Sequence, residues 1–146
     1  MKKDVIITIK GLQNYEEQDK DSVELVTAGR FYLKEGNYYI TYKESELTGL
    51  GSTTTTLKIE DERVTILRSG ETRSHMVFEE GQKHVSYYDT VAGALTVGIS
   101  TRKIKKKITE HGGRLMIDYA VEINNSVTGE NAFDIGVREV TPTISQ

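Results

Sequence analysis

The sequence predicts an all-β chain, a single antiparallel β-barrel of about 8–10 strands. Three observations predict it. Short segments of alternating apolar and polar residues follow one another along the chain. Val64, Ile66, Met76, Phe78, Val85, Tyr87, Leu95 and Val97 share one face only under particular hairpin lengths, and those lengths coincide with turn-type residues. No segment carries a convincing 3.6-residue period. Alternation alone suits a two-sheet sandwich equally; the short connections favour the barrel.

Taken in order, Val5, Ile7 and Ile9 alternate in a first strand. Val23, Leu25, Phe31 and Leu33 share the phase of a long second strand, in which Gly29 allows a bend. The acidic stretch Asn14 to Asp21 between them holds one helical turn at most. Glu35-Gly36 turns the chain into a third strand bearing Tyr38, Ile40 and Tyr42. Glu46 to Ser52, with Gly49 and Gly51, reads as a loop or kinked edge. Leu57 and Ile59 mark the fourth strand, preceded by the β-branched run Thr53 to Thr56. After a turn at Glu60 to Glu62, a three-residue loop at Ser69 to Glu71 pairs Ile66 with Ser74 and Val64 with Met76. A turn at Glu80-Gly81 then pairs Met76 with Val85, and Thr90 to Ala92 pairs Tyr87 with Leu95. The inner phase changes between Val97, Ile99 and Ile104, Ile108, which calls for a β-bulge near Ser100 to Arg102. A turn at His111 to Gly113 leads into Leu115, Ile117, Tyr119, Val121 and Ile123, and a last strand carries Phe133, Ile135 and Val137. The expected core therefore includes Ile66, Phe78, Leu95, Val97, Ile117 and Phe133.

The 146 residues suit one domain, 1–146, with 141–146 as a C-terminal tail around Pro142. With 28% charged and 36% apolar residues the chain is globular rather than disordered. A formal net charge of −3 argues against a general polyanion binder. There is no cysteine, so disulfide scaffolds and thiolate chemistry are out. The start, MKKDVIITIKG, lacks the apolar stretch of a signal peptide, and no run approaches the ~20 apolar residues of a membrane span. The expected compartment is cytoplasmic.

The stretches FYLKEGNYYITYKES (31–45), VTILRSGE (64–71), MVFEEG (76–81), YYDTVAGALTVGISTRKI (87–104) and GRLMIDYAVEI (113–123) resemble the YwiB-like family of small bacterial proteins. The resemblance spans most of the chain in the same order and with similar spacing. It implies a calycin-like, lipocalin-type β-barrel and brings no catalytic motif. The chain has no tryptophan, so the G-x-W signature of true lipocalins is absent, and a lipocalin-like ligand is analogy by fold.

Few chemical signatures stand out. His75 and His84 fall diagonally across one hairpin, opposite in phase to Met76 and Val85, and are read as outward surface histidines. Two histidines without a placed third ligand make no metal site. His111 lies in a turn. The run Arg102 to Lys107 could touch phosphates, but it lacks the aromatic platforms of nucleic-acid binders and suits a solvated edge strand guarded by lysines. No G-x-S-x-G elbow is present, and Gly49-x-Gly51 lacks the lysine and helix of a phosphate loop. The expectation is no enzyme, no catalytic residue, no cofactor and no metal.

The inner face holds the candidate site: Arg68, Tyr42, Glu44, Thr55, Tyr87 and Tyr119. Arg68 continues the phase of Val64 and Ile66 and precedes a turn, which sets it near one rim. An inward arginine keeps its charge, so it needs an anionic ligand or a carboxylate such as Glu44. The functional expectation is a non-enzymatic barrel holding a small amphipathic or anionic molecule, with no nucleic acid and no membrane as partner. The alternative is a protein–protein interaction module with a filled barrel, with a homodimer as one form.

Overall fold

In the computed structural model the described residues are 2–13, 21–44, 52–70, 73–90 and 93–140. They form ten strands and, among themselves, no helix: β1 (Lys2–Gln13), β2 (Asp21–Lys34), β3 (Asn37–Lys43), β4 (Thr53–Ile59), β5 (Arg63–Gly70), β6 (Ser74–Glu79), β7 (Lys83–Thr90), β8 (Gly93–Thr109), β9 (Gly112–Ile123) and β10 (Ser126–Glu139). Apart from Asp21 and Ser52, the expected turn at 14–21 and loop at 46–52 lie outside the described residues, as do 91–92 and the tail 141–146.

All ladders are antiparallel, and the sheet runs β6-β5-β4-β3-β2-β1-β10-β9-β8-β7. Its two end strands, β6 and β7, are consecutive in sequence and come back beside each other, giving a nearly closed barrel. The core is the inward phase that alternation predicts: Val5, Ile7, Phe31, Ile40, Leu57, Val64, Phe78, Ile99, Leu115 and Ile117 are almost wholly buried. Burying each such side chain contributes about 1.5–3 kcal/mol.

Several local readings hold. The β2–β3 turn is Glu35-Gly36, with both residues at positive φ (52° and 83°) as a tight hairpin turn requires. The bulge falls where the phase change put it, with Arg102 skipped between Thr101↔Tyr119 and Lys103↔Asp118. Gly29 answers a close approach: a Cβ there would lie 2.5 Å from the Thr41 carbonyl oxygen.

Four registers differ from expectation. Ile66 pairs with Met76, Val64 with Phe78 and Arg68 with Ser74, because the β5–β6 connection is longer than three residues. The shift is two residues, so every inward side chain stays inward. Between β7 and β8 the connection is one residue shorter than expected: Tyr87 pairs with Thr96 and Tyr88 with Leu95. An odd shift flips the strand, so Val85 and Tyr87 face out (47% and 75% exposed), whereas His84 and Ser86 are half-buried. His84 is thus not a surface histidine; its ring lies 2.9 Å from Glu79 Oε1. The β8–β9 turn is Glu110-His111, one residue earlier than expected. Finally, the expected pairing of Met76 with Val85 is replaced by a break: β6 and β7 are the unpaired ends of the sheet.

That break is a seam, stitched by few bonds. At one end the β6–β7 turn leans on the bulge of β8, through Gly81 N to Thr101 O (2.9 Å) and Thr101 N to Gln82 O (3.1 Å). Lys106 also donates there to the carbonyls of Glu60 and Asp61. Toward the other end, Ser86 Oγ donates to the His75 carbonyl at 2.7 Å.

Candidate functional site

Four inner-face residues form one row across neighbouring strands: Tyr42 on β3 opposes Thr55 on β4, Thr55 opposes Arg68 on β5, and Arg68 opposes Ser74 on β6. The row begins in the closed wall and ends at the seam. Glu44 follows β3, held by its own N–H to the Thr53 carbonyl at 2.7 Å. Its side chain is 3% exposed, accepts a hydrogen bond from Thr55 Oγ1, and lies 3.7 Å from Arg68 Nε. Tyr119 reaches the same region from β9. The structure therefore brings together five of the six expected residues, Tyr42, Glu44, Thr55, Arg68 and Tyr119. Tyr87 does not point inward, for the register reason given above; it lines the outer mouth instead.

The space beside the row is packed. Phe78, Tyr119 and Phe133 touch one another, with ring centroids 5.0 Å (Phe78–Tyr119), 6.1 Å (Phe78–Phe133) and 5.2 Å (Tyr119–Phe133) apart. The opening lies at the seam, where a cleft of about 460 Å3 is lined by Arg68, Arg73, Ser74, His75, Val85, Ser86 and Tyr87. A second cleft of about 490 Å3 lies at the opposite end of the seam, where Glu60, Asp61, Glu62, Glu79 and Glu80 outnumber Arg63 and Lys106. One end of the seam is thus cationic and the other acidic. Among the described residues, no three His, Asp or Glu side chains converge as a metal site.

Arg68 is poorly satisfied for a guanidinium with five donors. Its side chain is 22% exposed. Nη1 donates to the Met76 sulfur at 3.9 Å, a weak acceptor. Nε is buried with no hydrogen-bond partner, since Glu44 Oε2 at 3.7 Å is an ion-pair distance rather than a hydrogen bond. The neighbouring Ser74 hydroxyl is also buried without a partner. The expected three-residue β5–β6 loop sets Ser74 opposite Ile66; a loop two residues longer sets it opposite Arg68 instead.

The phenols record how dry the row is. Burial pushes the Tyr42 hydroxyl far above the usual tyrosine range; Glu44 adds to the rise and Arg68 opposes it. Burial likewise pushes Tyr119 up, again against Arg68. Both folded values are raised, so their stabilisation is intact below the ordinary tyrosine pKa of about 10 and is lost as pH climbs above it. In an alkaline titration followed by phenolate absorbance, Tyr42 and Tyr119 of the eight tyrosines should ionise only with unfolding. If both ionise smoothly in the folded protein, the row is wet.

The basic run meets acids and carbonyls of the chain itself. Lys105 and Lys107 are exposed, Arg102 pairs with Glu130 at 3.4 Å, and Lys106 holds the β4–β5 turn.

Comparison with known proteins agrees with this fold. The family described as "Domain of unknown function (DUF1934)" matches residues 7–135. An uncharacterized β-barrel protein of Bacillus subtilis (strain 168), YwiB, is 27% identical over 126 residues, covering 86% of this chain and 87% of its own. The crystal structure of ywiB protein from Bacillus subtilis matches with a TM-score of 0.79, covering 96% of this chain and 94% of that one at 22% identity.

Proposed function

The chain belongs to the DUF1934 family, and from that premise we propose that it is a non-enzymatic binding protein whose β-barrel carries a small anionic molecule at the cationic end of the β6–β7 seam. The observation that carries this reading is the pair of buried, unpartnered polar groups, Arg68 Nε and Ser74 Oγ, beside a cleft lined by both. Buried polar atoms in folded proteins are nearly always satisfied by protein, ordered water or a ligand, and an anion seated in the cleft supplies such a partner beside both residues. The groups that meet there suit holding an anion: Arg68 and Arg73 bring guanidiniums, Ser74 and Ser86 hydroxyls and His75 an imidazole. The cleft volume lies within the range of small-molecule sites. The body of the ligand sits in the seam, because the aromatic rings of Phe78, Tyr119 and Phe133 occupy the space beside the row.

Native mass spectrometry of protein purified without denaturation tests this. The wild type should carry a small bound mass, and Arg68→Met should lose it while keeping its near-ultraviolet circular dichroism. A second reading, an interaction module with a filled barrel, draws on the same packed interior. It predicts that the wild type carries no small molecule, that protomers associate, and that Arg68→Met lowers stability by stranding the Glu44 carboxylate without altering any mass.

A further inference from the structure

We infer that Glu44 sets the charge class of the ligand, so that the seam cleft takes a monoanionic carboxylate in preference to a dianionic phosphate. This rests on the binding reading above and sharpens it. Arg68 and Arg73 are the cleft's guanidiniums. Arg73 is exposed and has no ion-pair partner among the described residues. Arg68 is not alone: the Glu44 carboxylate stands 3.7 Å behind it, 3% exposed and fixed by Thr55. Glu44 does not line the cleft; it sits in the wall and offsets the charge of Arg68 from within. With histidine neutral, the site keeps one net positive charge, supplied by Arg73.

Geometry alone does not discriminate, since a guanidinium fork accepts carboxylate and phosphate alike. Charge does. A monoanion balances the site. A dianion leaves its second negative charge uncancelled near Glu44, beside a wall that water does not screen. The exposed Tyr87 ring and Val85 at the mouth give an apolar seat for the body of such a ligand. Benzoate and phenyl phosphate share one body and differ in this property, the phosphate being dianionic once its second proton is lost near pH 6.

Calorimetric titration with the two probes, at a mildly alkaline pH where histidine carries no charge, reads the preference directly. The wild type should bind benzoate at least about tenfold more tightly than phenyl phosphate, the scale of one charge-assisted contact. Glu44→Gln keeps the shape and a hydrogen-bonding partner for Thr55 but removes the buried charge. It should raise phenyl phosphate affinity about tenfold and erase or reverse the preference. Arg73→Met should weaken both probes. Phenyl phosphate preferred by the wild type, or an unchanged ratio in a folded Glu44→Gln, overturns the inference and leaves the binding reading standing. The wild-type comparison needs no variant, so the preference is measured even where Glu44→Gln fails to fold. Neither probe binding to the wild type at tens of millimolar overturns the binding reading as well.

Discussion

Phe78→Ala should cost about 3–5 kcal/mol of folding stability, a large share of the roughly 5–15 kcal/mol that a domain commonly has. Phe78 is fully buried on β6, opposite Val64, and its ring meets both Tyr119 and Phe133. Truncation removes a large apolar side chain and leaves a void that a barrel wall fixed by ladders on β5 cannot collapse to fill. Urea denaturation measures it, with Leu67→Ala on the outer face of β5, 41% exposed, as a control that costs under about 1 kcal/mol. A Phe78→Ala cost as small as the control's would mean that the space beside the site row is loosely filled. The ligand would then have room inside the barrel.

The second large effect is a backbone one. Gly113→Ala should destabilise by about 3 kcal/mol or more. Gly113 stands at φ +148°, and a Cβ there would lie 1.9 Å from the Lys107 carbonyl oxygen and 2.9 Å from the Ile108 Cα. Both obstacles are backbone of the paired strand β8, so neither can rotate away. Gly36 is the contrast: φ is +83°, yet nothing lies within 4 Å, so Gly36→Ala should cost only about 1 kcal/mol of left-handed strain. Equal effects at the two positions would mean that the end of the β8–β9 hairpin is more open than its ladder implies.

Particular residues explain how much of this was legible in the sequence. Parity is what alternation encodes, and parity survives any even error in loop length. Arg68, Thr55, Tyr42, Glu44 and Tyr119 are all where the phase puts them, although the β5–β6 register differs by two residues from the expected one. The alternative of a Glu44 partner for Arg68 is equally readable, since both fall on the inner face near the same rim. Tyr87 shows the opposite case. The β7–β8 loop is one residue shorter than expected, and a one-residue slip carries Tyr87, Val85 and His84 to the opposite faces. Amphipathic alternation on β7 is ambiguous because Ser86 and His84 suit a half-buried seam about as well as Val85 and Tyr87 suit a core.

The seam itself left no local signal. Glu80-Gly81 is a good hairpin turn, and the chain does turn there; Gln82 N bonds the Glu79 carbonyl at 2.9 Å. What the turn residues do not encode is whether the strands beyond them zip. Here the bonds that would form a β6–β7 ladder yield to contacts of the turn with Thr101 and Ile104 at the β8 bulge. That choice depends on closing the barrel through the far ends of the chain, a non-local property. The cationic cleft exists because of it, so the site was half readable: its buried row from phase, its mouth only from the fold.

The central claim is that the Arg68 guanidinium meets an anion in the seam, and nitrogen–proton NMR of the arginine side chains tests it most directly. The buried Arg68 Nε–H should exchange slowly with water and be resolved from the exposed arginines. Benzoate should shift the Arg68 and Arg73 signals together, in proportion to binding, and leave Arg102, paired with Glu130 on β10, where it is. An Arg68 signal that exchanges rapidly and stays unmoved while benzoate shifts Arg102 and the lysines of β8 would contradict the account.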